Sequence, residues 1–178
     1  MRIISGKYKG KRLIAPKKLP VRPTTDFAKE ALFNILNNRI AFHEVSFLDL
    51  FAGTGNISFE FASRGNSSIT AVDADHGCVQ FIKKTSEELD FAIHTIKANV
   101  FSFLEKNKHS FDVIFADPPY DFDTGQFERI INLVFENKLL NADGFLIIEH
   151  SKHTDLSNVA CHSESRRYGG SVFSFFEN

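Results

Sequence analysis

Tryptophan is absent from the 178 residues and methionine occurs once. Cysteine is scarce: Cys78 and Cys161 stand far apart, with no CxxC pair and no histidine at metal-ligand spacing. A disulfide scaffold and a thiolate metal site are therefore not expected; two idle thiols in a reducing compartment are. No apolar run reaches the roughly 18 residues that signal a membrane span. Met1-Arg2 leads into a short Ile-Ile pair rather than the apolar core of a secretory leader. A cytoplasmic protein with no membrane contact and no metal is the expectation, and a monomer is taken as its state. Internal repeats and low-complexity tracts are also missing.

The first 25 residues lack acid altogether. Eight of the chain's 21 Lys and Arg fall there, which leaves 13 basic residues against 22 acidic ones in the remainder. A net charge of −1 conceals that asymmetry, which is a signal for an anionic partner at one end and agrees with phosphate contact by nucleic acid. The alternative is a solvated basic tail. Hydrophobic content of 43%, with 20 Phe, is ample for a core. The length suits one domain with a modest extension, divided at 1–25 and 26–178.

In the extension, Arg2 to Ser5 and Lys11 to Ala15 read as two short strands about the turn Gly6-Lys7-Tyr8-Lys9-Gly10. Tyr8 at the tip either stacks on a base or shields the hairpin. Pro16 and Pro20 break regular structure. Thr25 or Asp26 caps a helix to about Arg39, with Phe27, Ala31, Leu32, Ile35 and Leu36 on one face.

From Phe47 onward, strand and helix patterns alternate. Strands are expected at Phe47–Phe51, Ser68–Val72, Ile93–Ala98, Phe111–Ala116 and Gly144–Glu149. Helical stripes run through Val79, Ile82 and Leu89, around Phe101-Phe103-Leu104, and through Phe127, Ile130, Ile131, Val134 and Phe135. Two closing strands flank Gly169-Gly170. This order predicts an α/β fold: a mostly parallel sheet with helices on both faces and an antiparallel edge hairpin.

The chain is organised around Ser46 to Asn56, SFLDLFAGTGN. A short strand turns at Gly53-Thr54-Gly55 and opens a helix, presenting backbone N–H groups to a ligand. Both glycines are expected to let the backbone pass close to that ligand. The third glycine of the dinucleotide fingerprint is replaced by Ser58, so NAD is disfavoured. In open α/β sheets ligands bind beyond the carboxyl ends of strands. Asp49, Asp73, Asn99 and Asp117 all fall at such ends. Asp73 suits ribose hydroxyls, with Asp75 the better helix cap. In Asp117-Pro118-Pro119-Tyr120 two prolines stiffen the loop after a buried strand. The Asp carboxylate, the Pro118 carbonyl and the Tyr ring then offer two acceptors and a flat face, which suits the exocyclic amine of a planar base facing a methyl donor.

DLFAGTG followed by DPPY resembles the class I S-adenosylmethionine-dependent amino-methyltransferases. RIISGKYKGKRL, RPTTDFAKEALFNIL, LDLFAGTGNISFEFASRG and FADPPY together resemble the RsmD family, the bacterial 16S rRNA guanine-N2 methyltransferases. The likeness covers nearly all of residues 2–176, and RPTTD is its most specific part. It implies a seven-stranded Rossmann-like methyltransferase fold, S-adenosylmethionine as cofactor, and a guanine of 16S rRNA in the 30S subunit or a late assembly particle as target. Asp49, Phe51, Gly53 and Gly55 would border the cofactor, Asp73 its ribose, and Asn99 and Val100 its adenine. Asp117, Pro118, Pro119 and Tyr120 would hold the guanine. Arg22 and Thr24 would contact substrate or close over the cofactor, and Arg2, Lys7, Tyr8, Lys9, Lys11 and Arg12 would meet RNA.

Two rivals stay open. A DNA adenine-N6 methyltransferase shares DPPY but usually carries a target-reading insertion, for which the short stretch between Tyr120 and Phe127 has no room. A non-catalytic nucleic-acid-binding protein would be marked by a damaged DPPY or a lost Asp73, and both are intact.

Overall fold

The structure, a computed structural model, describes residues 1–19 and 25–177. Arg22 and Thr24 lie outside the described residues. In chain order the elements are α1 (Asp26–Leu36), β1 (Phe47–Leu50), α2 (Asn56–Ser63), β2 (Ile69–Asp73), α3 (His76–Leu89), β3 (Ile93–Lys97), α4 (Val100–Lys106), β4 (Phe111–Ala116), α5 (Thr124–Glu136), β5 (Leu140–Ser151), β6 (His162–Tyr168) and β7 (Ser171–Glu177).

Among the described residues the strands form one seven-stranded sheet in the order β3-β2-β1-β4-β5-β7-β6. The first five pair in parallel, and β7 and β6 close it as an antiparallel edge. The side-chain period of two sorts each central strand between two cores. Leu48, Leu50, Ile114, Ala116, Leu146 and Ile148 pack with α4 and α5. Phe47, Val113, Phe115, Phe145 and Ile147 pack with α1 and α2 on the opposite face. A sheet buried on both faces accounts for the nearly continuous apolar runs in the sequence.

Three expectations are corrected. Phe27, placed on the buried face of α1, is 64% exposed; Ala31, Leu32 and Leu36 are buried as expected, joined by Ala28 and Phe33, and the helix ends at Leu36. β5 begins at Leu140, four residues early. Its first residues, through Gly144, form an irregularity in the ladder with β4, where Asp143 takes a φ of 63°.

The third concerns the N-terminal hairpin, which is a short ladder rather than two full strands. An isolated bridge joins Arg2 and Arg12, flanked by Ile3 N–H to the Lys11 carbonyl (2.9 Å) and Leu13 N–H to the Met1 carbonyl (2.9 Å). The ladder stops because Ile4 and Ser5 donate their N–H groups to the Glu60 carboxylate, at 2.8 and 3.0 Å. Glu60 is fully buried on α2. It is balanced by Arg64 at 3.0 Å and by Lys29 at 3.6 Å, itself 1% exposed. The Lys29 ammonium also donates to the Arg2 carbonyl (2.6 Å) and to Asn56 Oδ1 (2.8 Å). Its pKa is lowered by burial, with the Glu60 charge opposing. Ile3 and Leu13 sit in one cluster with Phe59 and Ile82. At Gly6, with φ of 80°, a Cβ would fall 1.8 Å from the Ser63 carbonyl oxygen, so only glycine permits the hairpin to lie on α2.

Candidate active site

The carboxyl ends of β1, β2 and β4 open into a cavity of about 550 Å³, within the range of small-molecule sites. Its walls bring together Asp49, Phe51, Gly53, Asp73, Asn99 and Val100 from the cofactor set, and Asp117, Pro118, Pro119 and Tyr120 from the proline loop. Residues 68 positions apart in sequence, Asp49 and Asp117, thus face one space. The parallel ladder is the reason: Asp49 pairs with Phe115, two residues before Asp117.

Asp49 is 1% exposed and its Oδ2 accepts from the Ser58 hydroxyl at 2.6 Å and the Ser58 N–H at 3.2 Å. Burial pushes its carboxyl up to about 7 against the pull of those bonds, and the nearby Asp73 charge adds to the rise. Ser58, which stands where the dinucleotide fingerprint has its third glycine, is the partner of a buried acid. Phe51 turns the chain at a φ of 59°. Gly53 N–H donates to Asp73 Oδ2 at 2.8 Å, and Asp75 N–H donates to Asp73 Oδ1 at 2.8 Å. Asp75 caps α3 as expected, accepting from Cys78 N–H at 2.8 Å. Asp73 is thereby pinned at the cavity wall rather than spent on a helix end. Asn99 caps α4 through its own side chain, which accepts from Ser102 N–H at 3.2 Å, and Val100 beside it is buried.

The Asp117 N–H reaches the Leu50 carbonyl at 3.5 Å, and Phe122 N–H donates to the Pro119 carbonyl at 3.1 Å, closing the loop. Pro118 is buried and Tyr120 is 63% exposed. An apolar wall was not foreseen: Phe122 lies on the cavity, edge-on to Phe51 at 5.6 Å and stacked with Phe101 at 6.0 Å. Phe122 follows the motif too closely to announce itself in a chain rich in Phe. A second cavity, about 460 Å³, shares Asp117 and Tyr120 with the first and is also walled by Phe27, Glu149, Lys152 and Tyr168.

Gly55 is not on the cavity wall. At its φ of 75° a Cβ would meet Ile82 Cγ1 at 2.9 Å and Phe59 Cε2 at 3.0 Å, so internal packing by itself favours the glycine there. The basic residues stand apart from the cavity. Arg2 pairs with Asp26 at 3.2 Å and with Glu30 at 3.4 Å, and Arg12 lies opposite it on the ladder. Lys9 is exposed at the tip. Tyr8 donates its hydroxyl to the Leu89 carbonyl at 3.0 Å and packs its edge on Phe91, with the Lys7 and Lys11 ammonium groups 5.3 and 5.7 Å from its ring centre. Those contacts are the shielding arrangement.

The pocket fits S-adenosylmethionine on its own terms. The anchored Asp73 carboxylate could accept from a pair of hydroxyls, an aromatic and aliphatic wall would suit a planar base, and a buried acid would suit a cationic end. Among the described residues no helix is long and apolar enough to cross a membrane, and no group of three or more His, Cys, Asp or Glu stands together as a metal site.

Residues 1–177 match the family described as Conserved hypothetical protein 95. A ribosomal RNA small subunit methyltransferase D of Buchnera aphidicola subsp. Baizongia pistaciae is 35% identical over 150 residues, covering 84% of this chain and 75% of that protein. The protein of the same name in Escherichia coli is 32% identical over 160 residues, covering 89% and 79%. Among solved structures, a putative methyltransferase, yhhF, from Escherichia coli superposes with a TM-score of 0.86 at 27% identity, covering 99% of this chain and 96% of that one.

Proposed function

This chain belongs to the family described as Conserved hypothetical protein 95, and we propose that it transfers a methyl group from S-adenosylmethionine to the N2 amine of a guanine in 16S rRNA of the small ribosomal subunit. The observation that carries the reading is the single cavity in which the anchored Asp73 and the Asp117-Pro118-Pro119-Tyr120 loop face each other. Support comes from relatives named as small subunit rRNA methyltransferases.

When bound, S-adenosylmethionine supplies an electrophilic methyl group on a sulfonium centre. The chain supplies position and electrostatics. Asp73 accepts the ribose hydroxyls while Gly53 and Asp75 hold it in place. Asp49, Phe51, Gly53, Asn99 and Val100 enclose the cofactor, and Phe122 extends their apolar wall. Asp117 and the Pro118 carbonyl accept the two N–H bonds of the guanine amine, whose lone pair is otherwise delocalised into the ring, and favour a pyramidal nitrogen. Pro119 stiffens the loop, and Tyr120 offers its exposed face for stacking. Asp117 takes up the proton that the amine sheds as its nitrogen is alkylated.

Residues 1–25 serve as a basic extension to the methyltransferase domain of 26–178. Lys7, Lys9, Lys11 and Arg12, with Arg2, meet rRNA phosphates by charge, and Arg22 and Thr24 contact substrate or close over the cofactor. Cytoplasmic location and action on the 30S subunit or a late assembly particle follow from that substrate. The test incubates the protein with 30S particles from a strain lacking it, then reads the nucleosides of 16S rRNA by mass spectrometry. N2-methylguanosine at one position is expected. Methylated adenine, or no methylated base, would overturn the reading.

A further inference from the structure

Asp117, just beyond β4, and Glu149, on β5, line one cavity. The parallel ladder pairs Phe115 with Ile147 and Ala116 with Ile148, and Asp117 and Glu149 are the next residues on the two segments. Ile147, two residues earlier on β5, and Phe173, paired with Glu149, both pack on the α1 and α2 face, and the period of two sends Glu149 to that face. Glu149 is 4% exposed, yet it lines the second cavity together with Asp117 and Tyr120.

A carboxylate so deeply buried is costly unless hydrogen-bond donors meet it. It offers about four acceptor positions, so a protein donor and a ligand can be served together. Methyl transfer as described leaves Glu149 without a task.

We propose that Glu149 reads the N1–H of the acceptor guanine while Asp117 and the Pro118 carbonyl hold its N2 amine. This rests on the methyl-transfer reading above and adds the basis of its choice of base. Guanine presents a ring N–H donor beside its exocyclic amine, on one edge. Adenine and cytosine present a ring-nitrogen lone pair in the same place, which a carboxylate repels. Two neighbouring acids and the Pro118 carbonyl, which together accept every donor on the guanine edge, therefore reject the other two amino bases.

The test uses small-subunit particles reconstituted with 16S rRNA that carries either guanine or 2-aminopurine at the methylated position. 2-Aminopurine keeps the N2 amine but presents an unprotonated N1. The wild-type protein should methylate guanine at least about a hundredfold faster in single turnover, because a site built to bond a donor rejects the analogue lacking it. Glu149→Gln can turn its amide N–H toward N1, and should bring the ratio to within about tenfold. Equal wild-type rates on the two bases would overturn the inference. So would an unchanged ratio in Glu149→Gln that binds S-adenosylmethionine normally. Should that variant fail to bind the cofactor, Glu149→Asp replaces it: withdrawal of the carboxylate should lower the ratio, and an unchanged ratio overturns the inference. Absence of methylation on the guanine particles would instead count against the methyl-transfer reading itself.

Discussion

Gly53 and Asp73 are joined by a 2.8 Å hydrogen bond from the backbone N–H to Oδ2, across 20 residues of sequence. That bond locks the glycine turn to the end of β2 and fixes the carboxylate before any ligand arrives. Asp73→Ala removes the acceptor for the turn and for the ribose together. S-adenosylmethionine affinity by calorimetry should fall at least about tenfold, since bonds to a charged acceptor are worth about 1.5–3 kcal/mol each. NAD binding more tightly than S-adenosylmethionine to the wild-type protein would contradict the cofactor assignment.

Asp49 makes stability depend on pH. Its carboxyl is raised by burial from 3.8 to about 7, so between those values the folded state holds a proton that the unfolded state has lost. Stability from this group is therefore greatest below about pH 4, declines as pH rises through 7, and levels off above. Asp49→Asn keeps an acceptor for Ser58 and cannot ionise. In urea titrations of the ligand-free protein, its stability relative to wild type should rise across that window by an amount on the order of a few kcal/mol at most. A parallel pH dependence in the two proteins would count against the assignment.

The basic extension is part of the core, so its removal is not a clean test of RNA binding. Deleting residues 1–13 strips Ile3 and Leu13 from their cluster and leaves Glu60 without two donors; the truncated chain should not fold stably. Replacing the exposed Lys7 and Lys9 by Gln should leave the thermal midpoint within about 2 °C of wild type, as surface changes usually cost under about 0.5 kcal/mol. Binding to 30S particles should weaken, and the slope of log affinity against log salt should flatten by about one for each phosphate that is no longer neutralised. An unchanged slope would remove these lysines from the interface.

Tyr120 is 63% exposed and lines the cavity. Stacking needs the ring and not the hydroxyl, so Tyr120→Phe should keep methylation of particles within a few fold. Tyr120→Ala should raise the particle concentration needed for half-maximal rate, by an amount matching about 1–3 kcal/mol. Equal effects of the two substitutions would point to the hydroxyl instead.

Much of this arrangement was legible in the sequence. Periods of two and 3.6 located the strands and helices, and the strand-end positions of Asp49, Asp73 and Asp117 followed from topology alone. Less legible were features set by packing between distant segments. Glu60 and Lys29 look like ordinary charges on amphipathic helices, and nothing local shows that they meet inside the protein beneath the N-terminal hairpin. Phe27 fits an apolar stripe, but its burial depends on which side of α1 meets the sheet. Nothing in the motif spacing shows that Gly55 also lies against Ile82 and Phe59. Glu149 reads as the last residue of a strand, and only the fold puts it on a cavity that Asp117 also lines.

The account turns on Asp117 as the group that holds and orients the amine. Single-turnover methylation of 30S particles from a strain lacking the protein, with Asp117→Ala compared against wild type, tests it most directly. The rate should fall at least about a hundredfold, the scale of losing one preorganised electrostatic partner, while S-adenosylmethionine affinity stays within a few fold. A variant that methylates at close to the wild-type rate would contradict the account at its centre.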